Sequence, residues 1–372
     1  MTSLLKSHDW ILNAAMALLL ASGLLMISSV SRELFLQQLI SVFVGAVLLF
    51  AFSLINWRLL KSYPMIILAF YGFALLLLIA ALFFAPEIRG TRGWLVIGSF
   101  RFQVAEFAKI ALILLYAFFF SSRHIGISRL TNIVKSFVYF LIPAVLVFLQ
   151  PDMGSLIVLL ALWIGFLLVS GLPLRHILIG LIGLILIVMV AWSFVLADYQ
   201  KERIIGFFQP DYDPLGINYS TIQAKIAIGS GGFWGKGYQR GTQTQLGFLP
   251  EAGTDFIYAA FIEEWGLFGG LAVLIFFMLL LWRVIRIGLY SAGNFYRLIS
   301  LGVAVLFLTH FAINIGSATG LLPVIGIPFP FFSYGGSSLI SSMMLIGILQ
   351  SSRRFQHDDA LARPVHSDIM AY

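Results

Sequence analysis

The 372-residue sequence has no cysteine, which excludes disulfides, thiolate catalysis and cysteine metal ligands in any compartment. Charge is nearly as scarce: ten per cent of residues are Asp, Glu, Lys or Arg, against about 25% in a soluble globular chain. No G-x-x-x-x-G-K-[ST] phosphate loop is present, which argues against a reaction that consumes cytoplasmic nucleotides. No polar interval is long enough to build a second core. What fills the chain instead is apolar: 60% of residues are hydrophobic and the mean hydropathy is +0.99. This composition describes an integral membrane protein.

Apolar runs of spanning length recur at Ile11–Val30, Phe35–Ile55, Pro64–Pro86, Val104–Ser121 and Ile133–Leu149. Five more follow at Ser155–Leu172, Ile177–Leu196, Phe256–Trp282, Leu298–Ile315 and Ser333–Leu349. The expected fold class is therefore all-α, a polytopic membrane protein of about ten transmembrane helices. Residues 1–352 form one membrane domain containing a large extracytoplasmic loop, 197–255, and residues 353–372 form a polar cytoplasmic tail. That loop is too short and too glycine-rich for a core of its own, and is expected to lie on the bundle as short amphipathic helices and turns. Short-loop Lys and Arg set the orientation. Lys6, Arg58, Lys61, Arg123, Arg129, Lys135, Arg175, Arg283, Arg286, Arg297, Arg353, Arg354 and Arg363 fall on one side, and only Arg32, Arg89, Arg92 and Arg101 on the other. Both termini are thus expected in the cytoplasm. The formal charge of +7 follows membrane orientation rather than nucleic-acid binding. Of the sixteen acids, only Asp9, Asp358, Asp359 and Asp368 fall on the cytoplasmic side.

Of the other twelve acids, Glu251, Asp255, Glu263 and Glu264 fall in the stretch from Phe248 to Trp265, and Glu106 and Asp152 fall in two of four polar islands at the outer face. Acids where a chain enters an apolar medium are costly and usually serve a site, although Glu263 and Glu264 equally suit a helix start favoured by the macrodipole. The first island runs from Arg89 to Lys109. In it Gln103 precedes Glu106 and Lys109, which lie three residues apart on one helix face and neutralise one another or line a polar cavity, with Arg92 nearby to hold an anion. The second, Gln150-Pro-Asp-Met-Gly, puts Asp152 in a tight turn. The third joins Lys225, Lys236 and Gln243 to a glycine-rich backbone whose N–H groups could face a diphosphate. The fourth combines Asn314 with a proline-broken stretch ending at Ser333 and Ser337, which must be buried in protein. His310 reads as a membrane histidine bonded to a neighbouring helix.

Together these blocks resemble the SEDS family (shape, elongation, division and sporulation) over nearly all of residues 1–350. The matching blocks are Gly-Thr-Arg-Gly-Trp, Gln-x-x-Glu-x-x-Lys, Gln-Pro-Asp-Met-Gly, Ala-Ile-Gly-Ser-Gly-Gly-x-x-Gly-Lys-Gly, Phe-Leu-Pro-Glu-x-x-Thr-Asp-Phe-Ile and Gly-Leu-Leu-Pro-Val-x-Gly-Ile-Pro. Gly241-Thr-Gln-Thr-Gln-Leu-Gly-Phe-Leu-Pro is similar to the RodA-like elongation branch rather than the division branch. Two departures stand out: Gln103-Val-Ala-Glu replaces the usual Gln-Pro-Ser-Glu, and Gly253 stands where a His commonly precedes Thr-Asp, which is expected to loosen the loop holding Asp255.

The resemblance implies a peptidoglycan glycosyltransferase that polymerises lipid II at the outer face of the bacterial cytoplasmic membrane. It further implies Asp255, after Thr254 and Glu251, as the essential carboxylate, and a class B penicillin-binding protein as transpeptidase partner. The acceptor hydroxyl needs a general base, whereas a diphosphate leaving group needs charge more than a proton. Asp255 suits the first role, and Arg92, Lys109, Lys225 and Lys236 suit the second. The lipid tail would occupy an apolar groove between spans. No protein metal-ligand set is expected, although a divalent cation, Mg or Mn, beside Asp255 and the diphosphate is chemically reasonable. Two rivals use the same architecture: a flippase of lipid-linked precursors, and a ligase moving a lipid-linked glycan to another acceptor. A flippase path should be polar on both faces, whereas here the cytoplasmic side offers only basic anchoring residues.

Overall fold

The computed structural model describes residues 8–361, apart from 89, 98–99, 123–129, 210–212, 217, 292 and most of 172–197. The expected span Ile177–Leu196 lies almost wholly outside the described residues, as do Lys6, Arg89, Arg123, Arg129, Arg363 and Asp368.

The described chain is helical almost throughout. Helices α1 (Trp10–Val30) and α2 (Arg32–Leu54) are separated by Ser31 alone. Its backbone is extended, and its hydroxyl caps α2 by accepting from the Leu34 amide at 3.4 Å. A 3-10 turn (Trp57–Ser62) leads into α3 (Pro64–Phe84), with proline in the first turn where no amide is needed. Strands β1 (Trp94–Ile97) and β2 (Phe100–Gln103) pair antiparallel, Trp94 opposite Gln103, and lead directly into α4 (Val104–Ser121). Next come α5 (Leu130–Leu149) and α6 (Met153–Val169). The outer loop contributes three short helices, α7 (Asp198–Phe208), α8 (Tyr219–Ser230) and α9 (Thr242–Gln245). The chain closes with α10 (Ile257–Leu289), α11 (Asn294–Thr319) and α12 (Gly336–Leu361).

Among the described residues, seven helices (α1–α5, α10 and α11) are long and apolar enough to cross a membrane, and α6 is a shorter apolar helix beside them. Helix α12 does not meet that standard because serines recur along it, yet it is buried from Ser337 to Ser352. Protein, not lipid, surrounds it. It packs along α2 most extensively, and glycines let the backbones close. A side-chain carbon on Gly347 would meet the Leu49 carbonyl at 2.5 Å, and one on Gly45 would meet Met343 Sδ at 2.3 Å.

Two expectations need correction. The segment 256–282 is not one continuous span, since Gly266 (φ 70°, ψ −177°) breaks α10 after Trp265. A break inside a membrane helix frees two carbonyls and two amides, which must find partners. The glycine-rich turn of the outer loop supplies all four. The Lys236 and Gly237 amides donate to the Glu263 and Glu264 carbonyls at 3.0 and 2.9 Å, while the Leu267 and Phe268 amides donate to the Gly232 and Phe233 carbonyls at 2.9 and 3.2 Å. This glycine run therefore repairs a helix, and those N–H groups are not available to cradle a diphosphate. Second, the last helix begins at Gly336 rather than Ser333. The same helix runs on to Leu361, into the polar segment 353–372.

One end of the bundle is tied by a buried ionic knot. Asp9, 1% exposed, caps α1 by accepting from the Leu12 amide at 3.0 Å, and its carboxylate also receives Arg283 of α10 and Arg353 of α12. Gln350 completes it, accepting from the Asp9 amide and donating to Asn13, both at 2.8 Å. Burial pushes the Asp9 carboxyl up. The Arg283 bond, the Leu12 amide and the nearby Arg353 charge outweigh that and hold it below its ordinary value of 3.8.

Candidate active site around Asp255

Asp255 sits at the end of a turn that the sequence builds tightly. Glu251 adopts φ +50°, and its carbonyl accepts from the amides of Thr254 and Phe256 at 3.0 and 3.2 Å. The Thr254 hydroxyl donates to the Glu251 carboxylate at 2.8 Å, at the exposed side of the turn.

The buried side is pinned by the other polar islands. Ser333 Oγ donates to the Thr254 carbonyl at 2.8 Å and accepts from the Phe329 amide at 2.9 Å. The Tyr334 amide donates to the Gly253 carbonyl at 2.8 Å. Asn314 Nδ2 reaches the Asp255 carbonyl at 3.2 Å and the Ile327 carbonyl at 2.9 Å. Glycine at 253 therefore does not leave the loop loose. Its own carbonyl is one of the tethers, and a Cβ there would make ordinary contacts with Leu34 at 3.6 Å and Val30 at 4.0 Å.

The Asp255 carboxylate is half-buried and faces Gly326, where a Cβ would lie 3.7 Å from Oδ2. Gly326 has φ +81°, so the proline-rich segment turns tightly beside the acid. Next to it, Lys225 of α8 lies against Gly320 at the end of α11, a Cβ there coming within 2.5 Å of its ammonium. A cation is favoured at that helix C-terminus. Lys225, Asn218, Thr221, Pro323 and Val324 line a cavity of about 140 Å³ on this side of the segment. Asn314 and Gly320 are six residues apart on α11, so the Lys225 cavity lies about 9 Å along the helix axis from the Asp255 tether.

The first two islands reach the same segment from below. Asp152 caps α6 by accepting from the Ser155 amide at 2.9 Å and also accepts from Gln103 Nε2 at 2.6 Å. A Cβ on Gly154 would meet Ile327 at 3.2 Å and the Ile325 carbonyl at 3.3 Å. Glu106 and Lys109 form a buried pair at 2.8 Å, and Lys109 Nζ lies 3.4 Å from His310 Nε2, whose ring also bonds the Pro328 backbone. Lys109 is thus neutralised inside the bundle under residues 325–328. Arg92 stays at the exposed rim, paired with Glu87 at 3.3 Å, while its amide donates to the Gln150 carbonyl. Ser337 is buried in the first turn of α12.

Two expected residues belong elsewhere. Lys236 donates to the fully buried Glu263 at 2.7 Å, and the same carboxylate accepts from the amides of Gln243 and Thr244 at 2.9 and 3.1 Å. Glu264 accepts from Ser29 of α1 at 2.6 Å and from Gln245 at 3.1 Å. The two acids thus tie the outer loop to α1 and α10, two helical turns beyond Asp255. Two glutamines of α2 escaped the sequence reading. Gln38 donates to the Ser333 carbonyl and accepts from the Gly335 amide, each at 3.3 Å, while Gln37 accepts from Tyr334 Oη. Their signal was a Gln-Gln pair in an apolar run.

Comparison with known proteins places the chain in a family. A family model for cell cycle proteins of the FtsW, RodA and SpoVE type matches residues 9–358. The peptidoglycan glycosyltransferase MrdB of Escherichia coli K12 is 40% identical over 281 residues, covering 76% of each chain. A chain of a peptidoglycan synthase complex that coordinates polymerisation and crosslinking has the same fold at TM-score 0.82 and 33% identity, covering 95% of this chain and 99% of its own. The RodA rod-shape-determining protein of Thermus thermophilus superposes at TM-score 0.70 with 29% identity, covering 93% and 97%.

Proposed function

The chain belongs to the FtsW, RodA and SpoVE family, and from that premise we propose that Asp255 is the general base of a glycan polymerase acting on lipid II. The protein is a peptidoglycan glycosyltransferase and a multi-pass protein of the inner membrane. Its termini lie in the cytoplasm, as the basic short loops require, and its acids work at the outer face.

The chemistry balances with few groups. An acceptor sugar hydroxyl attacks the anomeric carbon of the lipid-linked donor. A new glycosidic C–O bond forms, the C–O bond to the diphosphate breaks, and the hydroxyl proton passes to Asp255. The lipid diphosphate leaves as an anion. Lys225 is the cation best sited to hold it, with Arg92 at the rim, whereas Lys109 and Lys236 are engaged by Glu106 and Glu263.

The observation that carries this reading is the fixation of Asp255. Asn314, Ser333 and Tyr334 hold the backbone around a half-buried carboxylate, and the cavity lined by Lys225 lies about 9 Å further along α11. Such rigidity is what general-base catalysis gains from a protein. A flippase would need polar groups within the bundle that are open to a passing head group, whereas Glu106 and Lys109 are buried as a closed pair.

Among the described residues no three of His, Asp or Glu gather as a metal-ligand set. Magnesium is usually held by one or two carboxylates together with substrate phosphates, and Asp255 beside a diphosphate fits that donor chemistry. Such an ion would neutralise charge on the leaving diphosphate. We further propose a crosslinking transpeptidase of the class B penicillin-binding type as the partner that consumes the product.

The test is a gel assay of glycan strands from purified protein and lipid II, alone and with a candidate transpeptidase, for wild type and Asp255→Asn. Loss of at least about a hundredfold in strand synthesis by a variant that inserts and folds normally is expected. Strands from Asp255→Asn at the wild-type rate would remove Asp255 from the reaction.

A further inference from the structure

Helix α2 buries a polar stripe in a span that is otherwise mostly apolar. Gln38, Ser41 and Gly45 lie on one face and are buried, with Gln38 only 2% exposed. A primary amide is expensive inside a membrane bundle unless its donor and its acceptor are both used. Gln38 uses both on one short turn, donating to the Ser333 carbonyl and accepting from the Gly335 amide. Beside it, Gln37 donates to Glu33 at 3.2 Å, which leaves its carbonyl oxygen to accept from Tyr334 Oη.

That turn needs holding. Phe331 adopts φ +64°, a left-handed conformation that a bulky residue takes only under constraint from its surroundings. Its ring is buried against Phe307, with centroids 5.3 Å apart. One residue on, the Phe332 carbonyl lies so close to α1 that a Cβ on Gly23 would meet it at 2.2 Å. Residues 332–335 are therefore held by both α1 and α2, and freeing the 333–335 backbone would let the strain at Phe331 relax.

The same turn carries the supports of the acid. Ser333 Oγ donates to the Thr254 carbonyl, and the Tyr334 amide donates to the Gly253 carbonyl. Gln38 is thus joined to the residue before Asp255 through a single intermediary. Movement of the 333–335 backbone shifts both supports together, while Asn314 grips the Asp255 carbonyl from α11.

We infer that Gln38 is a positioning residue for glycosyl transfer, setting the Asp255 carboxylate in place by fixing residues 333–335. The inference rests on the reading of Asp255 as the general base. The Gln38 amide is spent on the backbone of the turn, so it acts on rate through geometry rather than by binding substrate.

Steady-state strand synthesis by the purified full-length protein with lipid II tests this, using Gln38→Met, Ser333→Ala, their double variant, Ser41→Ala and Asp255→Asn. Gln38→Met should lower kcat at least about tenfold while KM for lipid II stays within about twofold. Because Gln38 and Ser333 act through one link, the double variant should be at most about threefold slower than the slower single variant. Ser41→Ala, further along the same buried face, should keep the wild-type kcat. A merely structural role would lower the thermal midpoint and leave kcat per folded molecule unchanged. Gln38→Glu keeps the length and the acceptor for the Gly335 amide without a donor for Ser333, and reads the same loss of kcat should Gln38→Met not fold. Wild-type kcat in the folded Gln38 variants beside an inactive Asp255→Asn, a raised KM alone, or effects that multiply in the double variant would each overturn the inference. Strand synthesis by Asp255→Asn at the wild-type rate would instead remove the general base, and this positioning role with it.

Discussion

Asn314 and Ser333 never reach the Asp255 carboxylate, yet they hold its backbone. Residues that act through another's position reveal themselves in rate rather than affinity, because a shift near 1 Å costs a reacting geometry on the order of a hundredfold. Asn314→Ala and Ser333→Ala should each lower kcat for strand synthesis by about ten- to a hundredfold while KM for lipid II stays within about twofold. Steady-state kinetics on the purified variants separates the two constants. A different logic governs Glu106 and Lys109, whose side chains are almost fully buried. Removing one partner leaves a charge stranded in an apolar bundle, a cost of about 3–5 kcal/mol, whereas removing both is far milder. Denaturant unfolding in detergent should therefore find Lys109→Met less stable than Glu106→Gln/Lys109→Met. At this scale the sequence marked positions rather than roles: Asp255 and the Glu106–Lys109 pair sit in motif blocks, while Asn314 and Ser333 lie in the polar island around the last of them. Lys236 and Gln243 fall away from Asp255 because a buried acid, Glu263, engages the Lys236 ammonium and the Gln243 amide, and partners 27 and 20 residues apart leave no local mark.

Among elements, hydropathy located the spans closely: Val104–Ser121 coincides with α4, and α1 begins one residue before its expected start. Hydropathy was blind to what happens inside a span. The break at Gly266 is set by backbone conformation and by the glycine turn that satisfies it, neither of which alters the apolar average. The β1–β2 pair was readable in principle, since Gly98-Ser99 separates two short runs rich in aromatic and β-branched residues, a hairpin signal. The Gly266 junction makes a strong prediction. A Cβ on Gly266 would lie 2.3 Å from the Phe233 carbonyl, and one on Gly235 would lie 2.2 Å from the Glu264 carbonyl. Both glycines also have positive φ. Gly266→Ala and Gly235→Ala should each cost about 3 kcal/mol through clash and backbone strain, read as a lowered thermal midpoint. Gly253→Ala, with open space and ordinary φ, should leave that midpoint nearly unchanged.

For the whole molecule, the Asp9 knot joins the first, tenth and twelfth helices and makes stability depend on pH. The Asp9 carboxyl is held below its ordinary value of 3.8 in the folded protein, so the unfolded chain binds its proton first as pH falls. Its stabilisation is fully present above the ordinary carboxylate value and is lost as pH drops through the depressed folded one. Thermal unfolding should show a midpoint that declines below about pH 4, and Asp9→Asn should remove this component while lowering the midpoint at neutral pH. Nothing in the charge pattern hinted at this knot, because Asp9, Arg283 and Arg353 are far apart in the chain.

The serine-rich character of α12 bears on how the protein is made. A helix this polar is a poor candidate to leave the translocation machinery for lipid by itself. It can settle only once α2 and its earlier neighbours have formed the groove that receives it, with Gly45 and the Leu49 carbonyl already in place. Biogenesis therefore ends with a keystone. Until residues 336–361 are synthesised and docked, the half-built bundle leaves Gln37, Gln38 and Ser41 of α2 in an open trough.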